Sequence, residues 1–184
     1  MTQEIYFITG NSLKVDIANS VLESYGIKLK QLQIDAPEIQ ATTSDEVAKF
    51  AAEYVANKTG KTVIKSDVSY HIKALNGFPG PYIKYINKWL NSQQLLRMVE
   101  KEKDREIAVV EYIALASPNK QTRLFEGKDI GTIADKITSH EGSAIDQIFI
   151  RNGHQLPQST LSKEEMMQYF TEHCYAWHKL GEYL

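Results

Sequence analysis

Apolar positions along this chain recur with two different periods, and the period predicts the element. Residues 4–9 (EIYFIT) are β-branched and aromatic and stop at Gly10-Asn11, which predicts a buried strand followed by a tight turn. From residue 12 the spacing changes. Val15, Ala18, Val21, Leu22 and Tyr25 lie three or four apart, predicting a helix that Gly26 ends. A second strand is expected within 28–34. Thr43-Ser44-Asp45-Glu46 has capping-box spacing, and Val47, Phe50, Ala51, Tyr54 and Val55 mark a helical face running to about residue 59, before Gly60.

Residues 62–65 (TVIK) read as a strand that opens at its carboxyl end into Ser66-Asp67, the end where α/β proteins gather ligand groups. Residues 76–81 (NGFPGP) hold two prolines and two glycines and predict a sharply shaped loop. Residues 82–103 look helical. The runs 107–116 and 121–125 straddle Ser117-Pro118-Asn119-Lys120 as a β-hairpin, with a further short strand expected at 130–133 beyond Gly127. Together these form a largely antiparallel section. Ser162-Lys163-Glu164-Glu165 repeats the capping-box spacing, and most of the remainder should be helical. The fold class is therefore α/β.

The chain has 184 residues, 42% of them hydrophobic, enough for one compact domain or two lobes around a cleft. No repeat or flexible linker interrupts it. With Lys plus Arg at 21 and Asp plus Glu at 23, the net charge of -2 gives no global attraction to nucleic acid or acidic membranes. Any anionic ligand must be held locally. Cys174 is the single cysteine, which excludes an internal disulfide and a multi-cysteine metal site and fits a reducing compartment. The first nine residues lack the basic and apolar regions of a signal peptide, and no run approaches the roughly 20 apolar residues that span a bilayer. A cytoplasmic protein without a membrane or nucleic-acid partner is expected.

Four pieces of the sequence can carry chemistry. Thr9-Gly10-Asn11 joins a strand to a helix, so backbone N–H groups and the positive end of the helix dipole face one place, and Lys14 is one turn inside. An anion site is one reading; a plain helix start with a solvated lysine is the other. Lys49 lies on the second predicted helix, where a lysine commonly snorkels to water. Glu38 follows Pro37 in an extended segment, and Asp67 ends a strand. Two such carboxylates can share Mg²⁺ with phosphate oxygens and water, or be ordinary loop acids. Lys84 closes the proline-glycine loop.

In order, these stretches resemble the HAM1-type inosine triphosphate pyrophosphatases. That family has a strand ending in TGN with a lysine three residues on, a proline-glutamate, a helix bearing lysine, a strand ending in an acidic doublet, and the loop LGGxPGPYIK. The corresponding stretches are Thr9-Gly10-Asn11-Ser12-Leu13-Lys14, Ala36-Pro37-Glu38, Lys49, Ser66-Asp67, and residues 75–84 (LNGFPGPYIK). Similarity continues more weakly through Arg123-Leu124-Phe125-Glu126-Gly127, Gly131, Asp146 and Phe149.

The resemblance implies one domain over 1–184, two-lobed and mixed-sheet with helices around a central cleft, forming a homodimer. It implies that Thr9, Asn11, Lys14, Lys49 and Lys84 contact the nucleotide, chiefly its phosphates, and that Glu38 and Asp67 hold Mg²⁺. Water would attack the α-phosphorus to give a nucleoside monophosphate and pyrophosphate, with Asp67 as the catalytic base.

Three departures accompany the match. Ser66 replaces the first acid of the doublet, which predicts weakened catalysis. The family's FGWDP or FGYDP segment becomes Ser143-Ala144-Ile145-Asp146-Gln147, losing the stacking aromatic but keeping the aspartate. The family's Ser-His-Arg becomes Thr171-Glu172-His173 in one register and Cys174-Tyr175-Ala176 in another. Asp146, Glu172 and His173 are the candidates for base contact, and an ionised Glu172 would favour a donor-rich edge; a solvated Glu172 is the plain alternative. Phe170, Cys174 and Trp177 share a helical spacing that favours core packing. The leading expectation is a Mg²⁺-dependent nucleoside triphosphate pyrophosphohydrolase with altered base preference. The alternatives are a nucleotide- or partner-binding protein on the same scaffold, its chemistry weakened or lost, and a degenerate structural homologue.

Overall fold

The computed structural model describes residues 4–184; the part of the leader-free reading that falls on residues 1–3 lies outside the described residues. The strands are β1 (Ile5–Ile8), β2 (Lys30–Leu32), β3 (Thr62–Ile72), β4 (Pro79–Gly80), β5 (Glu106–Ala116), β6 (Arg123–Ile133) and β7 (Phe149–Arg151). The helices are α1 (Ser12–Leu22), α2 (Ser44–Thr59), α3 (Ile83–Trp89), α4 (Ser92–Met98), α5 (Lys163–His173) and α6 (Tyr175–Tyr183). The seven strands form one sheet in the order β2-β1-β3-β5-β6-β7, with β4 beside β3. This is the mixed α/β sheet expected from the sequence: β1 is parallel to β2 and β3, while β3–β4 and β6–β7 are antiparallel.

The chain divides into two compact units. The first comprises the residues up to 68 with 111–127 and 169–184; the second comprises 69–110 and 128–168. In the first unit, α1, β1, β3, β5 and α6 enclose a core of Phe7, Val21, Leu22, Ile64, Ile113, Trp177 and Leu180. Phe7 and Trp177 meet edge to face, 5.0 Å between centroids, and large buried side chains of this kind each contribute about 1.5–3 kcal/mol. Two glycines bring α6 close. A Cβ on Gly181 would lie 2.5 Å from the Tyr25 ring, and one on Gly127 would lie 2.5 Å from the Ala176 nitrogen. On the opposite face of the sheet, the alanine-rich side of α2 (Ala48, Ala52, Val55, Ala56) packs on Ile8, Val63, Ala114 and Ala116, small side chains letting the helix sit low.

The second unit has its own core of Ile72, Leu95, Ile107, Ile133, Ile145, Ile148 and Phe149. Beside it Arg151 is paired with Asp129 at 2.8 Å, both side chains nearly out of solvent, and the guanidinium lies 5.1 Å from the Phe149 ring centre.

Several elements differ from their sequence-based outlines. β3 continues through Ser66-Asp67 to Ile72, so the pair lies within the strand rather than at its end. The helix expected over 82–103 is two helices, separated at Leu90-Asn91, where Asn91 and Gln94 form a full capping box. β6 absorbs the separate strand expected at 130–133. The Ser162–Glu165 box forms as expected, the Glu165 N–H donating to Ser162 Oγ at 3.1 Å and the Ser162 N–H to Glu165 Oε2 at 2.8 Å. At Thr43 the hydroxyl donates instead to the Glu46 carboxylate at 3.0 Å, and the side chain caps no backbone group. The C-terminal helix is broken at Cys174 into α5 and α6.

Candidate active site

The turn after β1 is built by its own side chains. Asn11 N–H donates to Thr9 Oγ1 at 3.0 Å, and Asn11 Oδ1 accepts from Leu13 N–H at 2.9 Å, making Asn11 the N-cap of α1. The Thr9 backbone is pinned to β2 from both sides, its N–H to the Leu32 carbonyl at 3.3 Å and its carbonyl to Gln31 Nε2 at 3.0 Å. An anion placed here meets the positive end of an 11-residue helix whose first turn carries no acid. Gly10, Asn11 and Lys14 are exposed, and a Cβ on Gly10 would meet nothing within 4 Å. The surface therefore admits a ligand close to the backbone.

Strand register brings a carboxylate alongside. β1 and β3 run parallel with Phe7 opposite Ile64, and Gly10 and Asp67 each follow that pair by three residues. Asp67 is half-buried; Ser66 is buried, on the face of β3 that also carries Ile64.

The neighbouring strand β5 adds a group that sequence reading passed over. Glu111 interrupts an otherwise apolar strand and lies partly open to solvent among Lys14, Ser66, Asp67 and Trp177. Trp177 Nε1–H donates to its Oε1 at 3.2 Å. Burial pushes the Glu111 carboxyl above its ordinary value; the nearby Lys14 ammonium and hydrogen bonds from Trp177 and Ser66 oppose that rise, while the negative charge of Asp67 adds to it. One signal in the sequence was available, a lone acid inside the run EIAVVEYIALA. Its partners come from α1, β3 and α6, far apart along the chain.

The other candidates are placed as follows. Glu38 is exposed in the irregular segment between β2 and α2, and Lys49 is exposed on α2, both in the first unit. Lys84 is exposed in the first turn of α3, in the second unit. It follows a tightly folded loop in which Gly77 and Gly80 have positive φ and the Phe78-Pro79 peptide is cis. Asp146, also in the second unit, accepts from the Ser143 N–H at 2.9 Å and hydroxyl at 2.7 Å, and from the Gln158 amide. Beside it, burial first and then the Asp146 charge push the Tyr70 hydroxyl up to about 12. Glu172 is exposed on α5. The His173 ring stacks on Tyr169 at 4.1 Å, with Nδ1 3.0 Å from the Tyr169 carbonyl. Trp177 is core, as its spacing suggested.

Glu38, Asp67 and Glu111 are hard oxygen donors of the kind Mg²⁺ takes. Among the described residues no three His, Cys, Asp or Glu side chains come close enough to close a metal site by themselves.

A parallel β-turn-helix opening with acidic side chains on the neighbouring strands defines an α/β protein of the kind whose helix N-terminus can meet an anion. The chain belongs to the Ham1 family, whose sequence profile matches residues 5–176. It is 33% identical over 162 residues to a dITP/XTP pyrophosphatase of Methanopyrus kandleri, covering 88% of this chain and 86% of the relative. It is 32% identical over 134 residues to an inosine triphosphate pyrophosphatase of Tuber melanosporum, covering 72% of each. Among solved structures, the Ham1 protein of Staphylococcus aureus superposes with a TM-score of 0.79 at 25% identity over 98% of this chain and 97% of that one. A HAM1 protein of Coxiella burnetii gives 0.81 at 24% identity over 98% of both, a likeness of fold.

Proposed function

We propose that this protein is a Mg²⁺-dependent nucleoside triphosphate pyrophosphohydrolase, cytoplasmic and homodimeric, acting on nucleotides of the dITP and XTP kind named for its relatives. The observation that carries this reading is the Thr9–Asn11 turn opening α1, with the Lys14 ammonium near the Glu111 carboxylate of β5. The triphosphate lies against the N-terminus of α1, where backbone N–H groups, Asn11 and Lys14 meet its charge. Lys49 and Lys84 contribute further cations. Glu38 and Asp67 are the residues that would hold Mg²⁺, which when bound would supply neutralisation of phosphate charge. Asp67 accepts a proton from the attacking water as its oxygen bonds to the α-phosphorus. The bond from that phosphorus to the bridging oxygen breaks, and pyrophosphate leaves with the electron pair.

The base is where this chain departs from its family. Asp146, Glu172 and His173 are the groups we assign to it, and the Asp146 carboxylate is held by Ser143 and Gln158. A base preference altered from inosine and xanthosine follows as a changed ranking among nucleotides that still include dITP and XTP. Ser66 in place of an acid favours a second reading, a nucleotide-binding protein of weak or no turnover. A panel of nucleoside triphosphates assayed with Mg²⁺ for pyrophosphate, and in parallel for thermal stabilisation, separates the two. Release from dITP or XTP, absent in Asp67→Asn, supports the enzyme; stabilisation without release from any nucleotide supports the binder.

A further inference from the structure

Gln158 keeps one end of a buried side chain unpaired. It opens the short turn Gln158–Thr160 in the second unit and is nearly out of solvent. Its Nε2 donates to Asp146 Oδ1, and the residue also hydrogen-bonds the Tyr70 hydroxyl, while its buried Oε1 has no partner among the described residues. An ionised carboxylate only accepts, so the amide must turn its nitrogen to Asp146 and leave the oxygen facing elsewhere. A methionine would fill the same space with no orphaned acceptor. The turn around Asp146 does not need the bond for its shape. The Gln147 N–H donates to the Ser143 carbonyl at 3.2 Å, the Phe149 N–H to the Ile145 carbonyl at 2.9 Å, and the Ser159 N–H to the Asp146 carbonyl at 3.1 Å. Ile145, Ile148 and Phe149 anchor the same segment in the core. The amide therefore acts on the carboxylate rather than on the backbone.

The other carboxylate oxygen is held from the opposite side. Oδ2 accepts from the Ser143 N–H at 2.9 Å and from the Ser143 hydroxyl at 2.7 Å. A carboxylate offers about four acceptor positions, two on each oxygen. Ser143 takes both on Oδ2 and Gln158 takes one on Oδ1, so one position remains, on Oδ1. Asp146 itself is only half-buried. Donors on both oxygens fix the plane of the carboxylate and hence the direction of that last position. An N–H group satisfies it; an acceptor is repelled.

We propose that Gln158 is a positioning residue for base recognition, orienting the Asp146 carboxylate so that the remaining acceptor position of Oδ1 selects a nucleobase presenting an N–H donor. The inference rests on the assignment of Asp146 to the base, and its test is equilibrium binding, apart from turnover. Two α,β-methylene analogues are titrated with Mg²⁺ into the full-length protein by calorimetry: that of dITP, whose base carries a ring N–H, and that of purine deoxyriboside triphosphate, whose base carries none. Wild type, Gln158→Met, Asp146→Asn and the double variant are compared, with melting curves to verify folding. Wild type should bind the dITP analogue tighter by about tenfold or more. Gln158→Met and Asp146→Asn should each lose most of that preference, and Gln158→Met should add nothing in the Asp146→Asn background. A role confined to stability would leave the ratio unchanged. If Gln158→Met does not fold, Gln158→Glu, of the same length and unable to donate when ionised, takes its place. A preference retained by the folded position-158 variant overturns the proposal, and its loss in Asp146→Asn alone would still support the base assignment. A preference that survives Asp146→Asn and disappears only on changing Gln158 also overturns it, because Gln158 would then act without Asp146. No preference in wild type, or no binding of either analogue, overturns this proposal and the base assignment together, while pyrophosphate release from dITP would still support the enzyme.

Discussion

The two units treat charge in opposite ways. In the second, Arg151 and Asp129 pair at 2.8 Å beside an apolar core, and Asp146 is engaged by Ser143 and Gln158, so charge meets its complement within the protein. In the first, the Glu111 carboxylate stands in an apolar strand with the Trp177 indole donating to it and the Lys14 ammonium nearby, and a hydrogen-bonded turn presents the positive end of α1. One arrangement is settled by folding alone; the other is where the proposed phosphorylated ligand would bind. The difference teaches where to look for chemistry, namely where a carboxylate is held in apolar surroundings at a cost.

Substitutions in the two units should therefore have different signatures. The largest effect is expected from Asp67→Asn: pyrophosphate release should fall roughly a hundredfold to ten-thousandfold with the melting temperature little changed, as steady-state assays and thermal melts will show. Asp129→Ala should do the reverse, leaving Arg151 without its carboxylate and costing about 3–5 kcal/mol of stability, readable in urea unfolding. A loss of activity at full stability in that variant would break the contrast. Trp177→Phe keeps an aromatic ring but removes the donor to Glu111 and part of the buried indole volume, so a loss of at least about 1–3 kcal/mol is expected in the same measurement.

The smallest effect concerns pH. Glu111 holds its proton more tightly in the folded protein than in the unfolded chain, so stability falls as pH rises from the ordinary carboxylate value of 4.5 through the raised one. Glu111→Gln cannot ionise. Its melting temperature, measured without metal or nucleotide, should match wild type most closely at acid pH and rise relative to it as pH increases. A constant difference between the two proteins would show that the buried charge is not what separates them.

Much of the first unit was legible because its signals are local. The strand ending at Thr9, the Asn11 cap and the left-handed Gly26 and Gly60 that close their helices are each read from a few adjacent residues. Lys14 and Asp67 follow from those elements. Glycines misled where they serve packing rather than turns. Gly127 read as a break before a separate strand, yet β6 runs through it because α6 comes close; at Gly131 a Cβ would lie 2.2 Å from the Ile150 carbonyl oxygen of β7. The capping box at Asn91–Gln94 was hidden inside a longer helical pattern, and the break at Cys174 carries no glycine or proline. Glu111 was passed over for another reason: the lone acid within its apolar run gains meaning from Lys14, Ser66 and Trp177, which only the folded sheet assembles.

The central claim, that the first unit's turn and carboxylates direct water onto the α-phosphorus, is tested most directly by turnover of dITP or XTP with Mg²⁺ in ¹⁸O-water. The products are then analysed by mass spectrometry. The account predicts one labelled oxygen in the nucleoside monophosphate and none in the pyrophosphate; label in pyrophosphate or in inorganic phosphate, or no products from wild-type protein, would contradict it.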